Sequence, residues 1–295
     1  MTVIKTHTVP DDIVEVRFSD YAREVFTGIP SRNGIKKAIK RGDLRIDGEA
    51  CKTGTWIKPG QVIDLIHSDK NKPKVYLLNL DIIYEDEHLA VINKPAGIEV
   101  LGNKFKTVEN ALPHNIVPST DENALTRPMT VHRIDMQTSG LLVIAKTAPA
   151  QIELGRQFEK RQVKKRYSAI VIGKADEHGQ ITKPIEGREA YTEFALIKNV
   201  RSLKNDWLSL VYLYPHTGRT HQLRIHMADS GFPILGDKIY GKEGTVLKGK
   251  GLFLSSVELS FTHPVKGVPV NVKVDEPKKF QTFLDREERR WGKYK

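Results

Sequence analysis

The chain has 295 residues, 39% of them apolar and 28% charged, with 22 Gly and 15 Pro. That composition excludes a disordered or fibrous chain and suits about two soluble domains, at roughly one per 150 residues. Lys and Arg number 47 against 36 Asp and Glu, a net charge of +11, and an excess of that size favours a polyanionic partner.

Cys51 is the only cysteine, which excludes an internal disulfide and a zinc site built from several thiolates, and fits a reducing compartment. The stretch Met1 to His7 lacks the apolar core of a signal peptide. No run approaches the roughly 18 apolar residues of a membrane span. A cytoplasmic protein facing nucleic acid is therefore expected.

In chain order, the first regular element expected is a short helix over Arg32 to Arg41. Ser31 is its N-cap, Ile35, Ala38 and Ile39 share a face, and Gly42 stops it. Asp43 to Gly48 alternates as a strand entering an Asp-Gly turn, and Pro59-Gly60 turns the chain again before Val62 to Leu65. The helix carries Arg32, Lys36, Lys37, Lys40 and Arg41 with no acidic residue. Arg32, Lys36 and Lys40 form one stripe, which is either a solvated face or a phosphate-binding surface. His67 to Lys74 is polar and proline-interrupted, as in a linker. Beyond it, strands are expected over Ile82–Tyr84, Leu89–Ile92, Leu141–Ala145, Tyr167–Ile172 and Leu208–Tyr214, with helices near Ala148–Gln162 and Thr220–Ser230. Strands outnumber helices and follow one another closely, which predicts an α+β fold with a mainly antiparallel sheet. Asp285 to Lys295 is basic with two aromatics and reads as a frayed terminus.

The densest chemistry lies in Val131-His132-Arg133-Ile134-Asp135-Met136-Gln137-Thr138-Ser139-Gly140-Leu141-Leu142-Val143-Ile144-Ala145-Lys146. Taken alone, Asp135 is either functional or a turn cap at the mouth of a buried strand. The run, however, resembles the signature of the RluA-type pseudouridine synthases, His-Arg-Leu-Asp-x-x-Thr-Ser-Gly-Leu-Leu-x-x-Ala-Lys, and departs from it only at Ile134. Ile82 to Gly97 resembles the family's opening strand pair and Asn-Lys-Pro-x-Gly turn. His216 to His226, followed by Pro233 to Asp237, resembles its closing block. The N-terminal helix and strands resemble a small RNA-binding domain shared with a ribosomal protein and with tyrosyl-tRNA synthetases, an extra domain that some family members carry.

The resemblance implies an RNA isomerase that needs no cofactor and no metal. Its one essential carboxylate, Asp135, acts as nucleophile or as base, and Arg224 pairs with it and keeps it ionised. Tyr167, on the strand that bears the family's active-site tyrosine, would stack on the flipped base and help with the proton at its carbon 5. His132, Arg133 and Thr138 bind the substrate, with Arg133 filling the vacated stack or holding the flipped nucleotide's phosphate. Lys160 to Arg166 would supply a phosphate-contacting edge. The expected layout is a small α+β RNA-binding domain at 13–75, a catalytic domain at 76–285 with a mainly antiparallel mixed sheet flanked by helices, and a basic tail at 286–295. Arg32, Lys36, Lys37, Lys40 and Arg41 would grip RNA, ribosomal in preference to transfer RNA, and the protein would act as a monomer away from membranes.

The competing readings are a catalytically silent RNA-binding or ribosome-assembly protein and a metal-dependent RNA hydrolase. The second lacks ligands. His216, His221 and His226 recur every five residues, off any single helical face.

Overall fold

The computed structural model describes residues 2–29, 31–67, 75–241 and 249–294. The expected linker lies, apart from His67, outside the described residues.

The N-terminal unit is a four-stranded sheet of order β1-β4-β2-β3, built from β1 (Thr2–Thr8), β2 (Leu44–Ile46), β3 (Glu49–Ala50) and β4 (Val62–His67). Helices α1 (Phe18–Val25) and α2 (Arg32–Arg41) cover it. Helix α2 is capped as its sequence predicts. The Ser31 side chain accepts from the Gly34 amide, and Gly42 ends the helix in the left-handed region, φ 75°. Asp47 and Gly48 both have positive φ, as a tight hairpin turn requires. Phe18, Ala22, Phe26, Ile35, Ile39, Leu44 and Ile63 form the core. Strand β1 falls outside the span expected for this unit. It pairs antiparallel with β4 and so completes the sheet from the other end of the segment.

The larger unit is a ten-stranded sheet whose central path runs β10-β11-β12-β9-β13-β8-β6-β5, with β7 added beside β8 and β14 beside β13. Its strands are β5 (Asp81–Glu85), β6 (Leu89–Lys94), β7 (Ala124–Thr130), β8 (Ser139–Thr147), β9 (Lys164–Ile172), β10 (His178–Ile181), β11 (Thr192–Ser202), β12 (Asp206–Pro215), β13 (Leu254–Thr262) and β14 (Pro269–Lys273). Every pairing is antiparallel except the short β8–β13 contact, giving the mixed, mainly antiparallel sheet expected.

The apolar run Leu141–Ala145 is wholly buried because both faces of β8 are covered. Leu141 and Val143 pack towards α4 (Ala148–Glu159), and Leu142 and Ile144 towards α3 (Val108–Asn115). Gly140 sits where β8 meets β13. Its φ is +109°, and a Cβ there would lie 2.1 Å from the Ser256 carbonyl oxygen, so the Thr138-Ser139-Gly140 sequence tolerates no side chain at its last position.

The basic C-terminus is ordered, contrary to expectation. Helix α6 (Lys278–Tyr294) buries Phe280, Phe283, Leu284 and Glu287. Phe280, Phe283 and Leu284 fill a core with Ile170, Leu208 and Phe253. Glu287 accepts from Ser202 Oγ at 2.7 Å, and Trp291 lies 5.0 Å from the Arg201 guanidinium. The apolar spacing that drives this docking begins before Asp285, outside the segment read as a tail.

Candidate active site

Asp135 lies on the loop between β7 and β8, where the buried strand emerges. The Thr138 amide donates to the Asp135 carbonyl, 3.1 Å, closing the turn. A second clamp comes from the turn after β6. The Gly97 amide donates to Met136 O at 2.7 Å. Lys94, with no exposed surface, spans three carbonyls, those of Pro95 (2.9 Å), Ile98 (3.0 Å) and Met136 (3.2 Å). Burial pulls the Lys94 ammonium down to about 8, while the Asp135 charge pulls it back up.

His132 holds the other end of the loop. Its Nε2 accepts from the Val143 amide at 2.9 Å, and its ring stacks on Phe158 with centroids 4.2 Å apart. Burial, with a smaller push from Lys165, takes the imidazole down to about 3. The ring is therefore neutral at pH 7 and its acceptor nitrogen is committed to the backbone. Thr138 is buried, whereas Arg133 is exposed at the cleft mouth and has no hydrogen bond or ion pair among the described residues.

Arg224, on α5 (Gln222–Asp229), contacts Asp135 as expected, but not as a fork. Nη1 reaches Asp135 Oδ2 at 3.4 Å. The fork goes instead to Asp237: Nε to Oδ2 at 2.7 Å and Nη2 to Oδ1 at 2.8 Å, with both residues buried. Burial alone would raise the Asp237 carboxyl. Arg224 and the amides of Ile239 and Tyr240 outweigh that and hold it below the ordinary carboxylate value. A second group faces the same oxygen of Asp135, His221 Nε2 at 3.9 Å. No hydrogen bond among the described residues reaches Asp135 Oδ1.

Tyr167 lies inside β9 and packs against two cores at once, one that holds Leu142 and Ile144 and one that holds Val211 and Leu223. Burial, reinforced by the Asp135 charge, pushes its phenol up to about 12, so it carries its proton at neutral pH.

These groups line one cleft of about 380 Å³, enough for a nucleoside-sized ligand. Its wall carries Arg133, Arg161, Lys165, Arg219 and Arg224 against the single carboxylate Asp135. All six residues expected at the catalytic and substrate sites, His132, Arg133, Asp135, Thr138, Tyr167 and Arg224, are on that wall. The basic edge is only partly there. Arg161 and Lys165 line the cleft, while Arg166 pairs with Glu258 at 2.8 Å and lies over the Tyr212 ring.

The α2 cations lie on the N-terminal unit, and two of the five have acidic partners among the described residues. Arg32 pairs with Asp20 at 2.9 Å and Arg41 with Asp43 at 2.6 Å; Lys37 and Lys40 are exposed and Lys36 is half-buried. The three spaced histidines go separate ways. His226 is buried between Thr192 Oγ1 and the Lys183 carbonyl, His216 stacks on Tyr191, and only His221 faces Asp135.

Sequence reasoning missed Asp237, Lys94 and Tyr240. Tyr240 OH lies 3.0 Å from His221 Nδ1, and its ring lies 5.1 Å from the Arg224 guanidinium. Arg224 is buried, and a buried arginine needs a dedicated counter-charge; the acidic residue of Gly236-Asp237, in the closing block, was the available signal.

Residues 88–229 match a family model described as RNA pseudouridylate synthase. Fold and cleft thus define an RNA-modifying isomerase. An RNA pseudouridine synthase of Aquifex aeolicus is 34% identical over 85% of this chain and 88% of its own. The ribosomal large subunit pseudouridine synthase D of Vibrio cholerae is 35% identical over 89% of this chain and 88% of its own. The solved structure of human RNA pseudouridylate synthase domain containing 1 superposes with a TM-score of 0.58 and 26% identity, covering 70% of this chain and 87% of that one. The chain belongs to the RluA-type family of RNA pseudouridine synthases.

Proposed function

We propose that the protein isomerises uridines of large-subunit ribosomal RNA, with Asp135 as the reacting carboxylate. The observation that carries this reading is the asymmetry at Asp135: Oδ2 faces Arg224, while Oδ1 is left for a ligand in the cleft. Relatives named as ribosomal large subunit pseudouridine synthases favour ribosomal RNA as the substrate class.

The chemistry needs little else. The N1–C1′ bond of a flipped uridine breaks, the uracil stays bound and turns, C5 bonds to C1′, and the C5 proton leaves while N1 regains one. Flipping costs roughly a few kcal/mol, and Arg133, exposed at the cleft mouth with no ion pair among the described residues, is placed to fill the vacated stack or to hold the flipped nucleotide's phosphate. Asp135 serves either as the nucleophile on C1′, as carboxylates do in retaining glycosidases, or as the base that takes a ribose proton. Uracil leaves more readily than an alcohol, so one carboxylate suffices. Tyr167 keeps its proton at neutral pH, which suits a stacking platform and proton donor better than a base.

Tritium release from RNA labelled at uridine C5 tests the proposal. Ribosomal RNA is expected to release label and transfer RNA less. Asp135→Ala is expected to abolish release while RNA binding persists. Binding without release by the wild type would favour the silent RNA-binding reading, and full activity in Asp135→Ala would refute the mechanism.

A further inference from the structure

His221 and Tyr240 form the second arm of a closed circuit around Asp135. One arm runs from Asp135 Oδ2 through Arg224 to Asp237. From Asp237 the circuit continues through the Tyr240 amide, which donates to Oδ1 at 3.1 Å. It then passes through the Tyr240 hydroxyl to His221 Nδ1 at 3.0 Å. It closes where His221 Nε2 faces Asp135 Oδ2 at 3.9 Å.

His221 occupies the left-handed region, φ 55°, a conformation uncommon for a residue other than glycine. It is the N-cap residue of α5: its carbonyl accepts from the Ile225 amide at 3.0 Å, while its side chain makes no capping bond. The imidazole is therefore not spent on the helix end and lies in the cleft beside Asp135.

The two ring nitrogens have different neighbours, and that fixes their roles. If the Tyr240 hydroxyl donates to Nδ1, the neutral imidazole carries its proton on Nε2, the nitrogen that faces Asp135. We propose that His221, oriented by Tyr240, is a positioning residue for Asp135. When substrate enters, Nε2–H closes the remaining gap to Oδ2, so that Oδ2 holds two donors and Oδ1 is aimed at the ribose. Tyr240 acts only through this tautomer and through its ring beneath Arg224. This inference rests on the pseudouridine synthase reading and assigns two further residues to that site.

A double-mutant cycle tests it. In single-turnover tritium release, Tyr240→Phe keeps the ring and removes only the hydroxyl, and His221→Asn removes the imidazole. Each is expected to slow release about tenfold at unchanged RNA affinity and unchanged thermal midpoint, and the double variant is expected to be no slower than His221→Asn alone. Additive losses, or a Tyr240→Phe enzyme as fast as wild type, would overturn the proposal. A readout without turnover separates this from failure of the substrate assignment. In nitrogen-15 spectra of the full chain, Tyr240→Phe is expected to shift the His221 Nδ1 resonance and Asp135→Asn the Nε2 resonance. Should no RNA release label, shifted resonances would still uphold the circuit, and unmoved resonances would overturn it whatever the substrate.

Discussion

Arg224 gives both arms of its fork to Asp237 and reaches Asp135 with the one nitrogen left over. The geometry assigns the work of neutralising a buried arginine to Asp237 and leaves Asp135 only partly committed. A carboxylate gripped by a full fork would have to break two charge-assisted bonds before reacting; one held at 3.4 Å by a single nitrogen does not.

Asp237→Asn should therefore affect both stability and rate. It leaves a buried guanidinium without its principal counter-charge, so urea unfolding should show a loss of roughly 3–5 kcal/mol. Tritium release should fall at least tenfold, because the guanidinium is then free to swing onto Asp135 or away from it. The wild-type carboxyl is held below its ordinary value, so its contribution is present above about pH 4 and is lost as pH falls through the folded pKa. Unchanged stability in Asp237→Asn would place the anchoring of Arg224 elsewhere.

His132 predicts a different pH window. Its folded pKa of about 3 lies below the ordinary 6.5. Between those values the unfolded chain binds a proton that the folded chain refuses, so stability rises with pH across the interval. The slope approaches about 1.4 kcal/mol per pH unit for one group. His132→Gln, which keeps an acceptor for the Val143 amide, should flatten the stability profile between pH 6.5 and 4 by close to one proton relative to wild type. Identical slopes in urea titrations would show that the imidazole takes up its proton without unfolding.

Much of this was legible in local sequence because local physics decided it. The Ser31 cap, the Gly42 stop, the Asp47-Gly48 turn and the doubly buried β8 each follow from residues within a few positions of one another. The six residues expected at the catalytic and substrate sites, which share one cleft wall, were singled out through the resemblance carried by three sequence blocks; composition would have left Asp135 a turn cap and Arg224 a surface residue. What stayed hidden depends on partners distant in sequence. Strand β1 is fixed by pairing with β4 across nearly sixty residues. The direction of Arg224's fork is fixed by Asp237 arriving from a separate turn. The C-terminal helix is fixed by docking, which no count of its charges reveals.

That docking makes the last helix a stability element. Glu287 is buried and accepts from Ser202 Oγ, which is itself fully buried. Glu287→Ala should cost about 1–3 kcal/mol by leaving that hydroxyl unpaired. Removing residues 286–295 should cost more, since Trp291 and its contact with Arg201 go as well. A truncated chain with the wild-type unfolding midpoint would restore the picture of a frayed tail.

Lys94 sets an alkaline limit on the same loop. As an ammonium it has three protons for three carbonyls; deprotonated near pH 8 it has two, and the Met136 carbonyl beside Asp135 is its longest contact. The rate of tritium release should decline with an apparent pKa near 8 while RNA affinity changes little. A profile flat to pH 9.5 would show that the loop holds its shape without that charge.

For the N-terminal unit, the pairing pattern on α2 ranks its cations as RNA contacts. Lys37 and Lys40 are exposed, so each can meet a phosphate at no internal cost. Arg32 and Arg41 must first leave Asp20 and Asp43, and that exchange offsets part of the gain. Neutralising Lys37 or Lys40 should lower the slope of log affinity against log salt by about one each, whereas Arg32→Ala or Arg41→Ala should lower it less. Binding of a ribosomal RNA fragment measured from low to high salt decides the ranking. Equal slopes for all four variants and the wild type would make α2 a solvated face and move the RNA contacts to the arginines and lysine around Asp135.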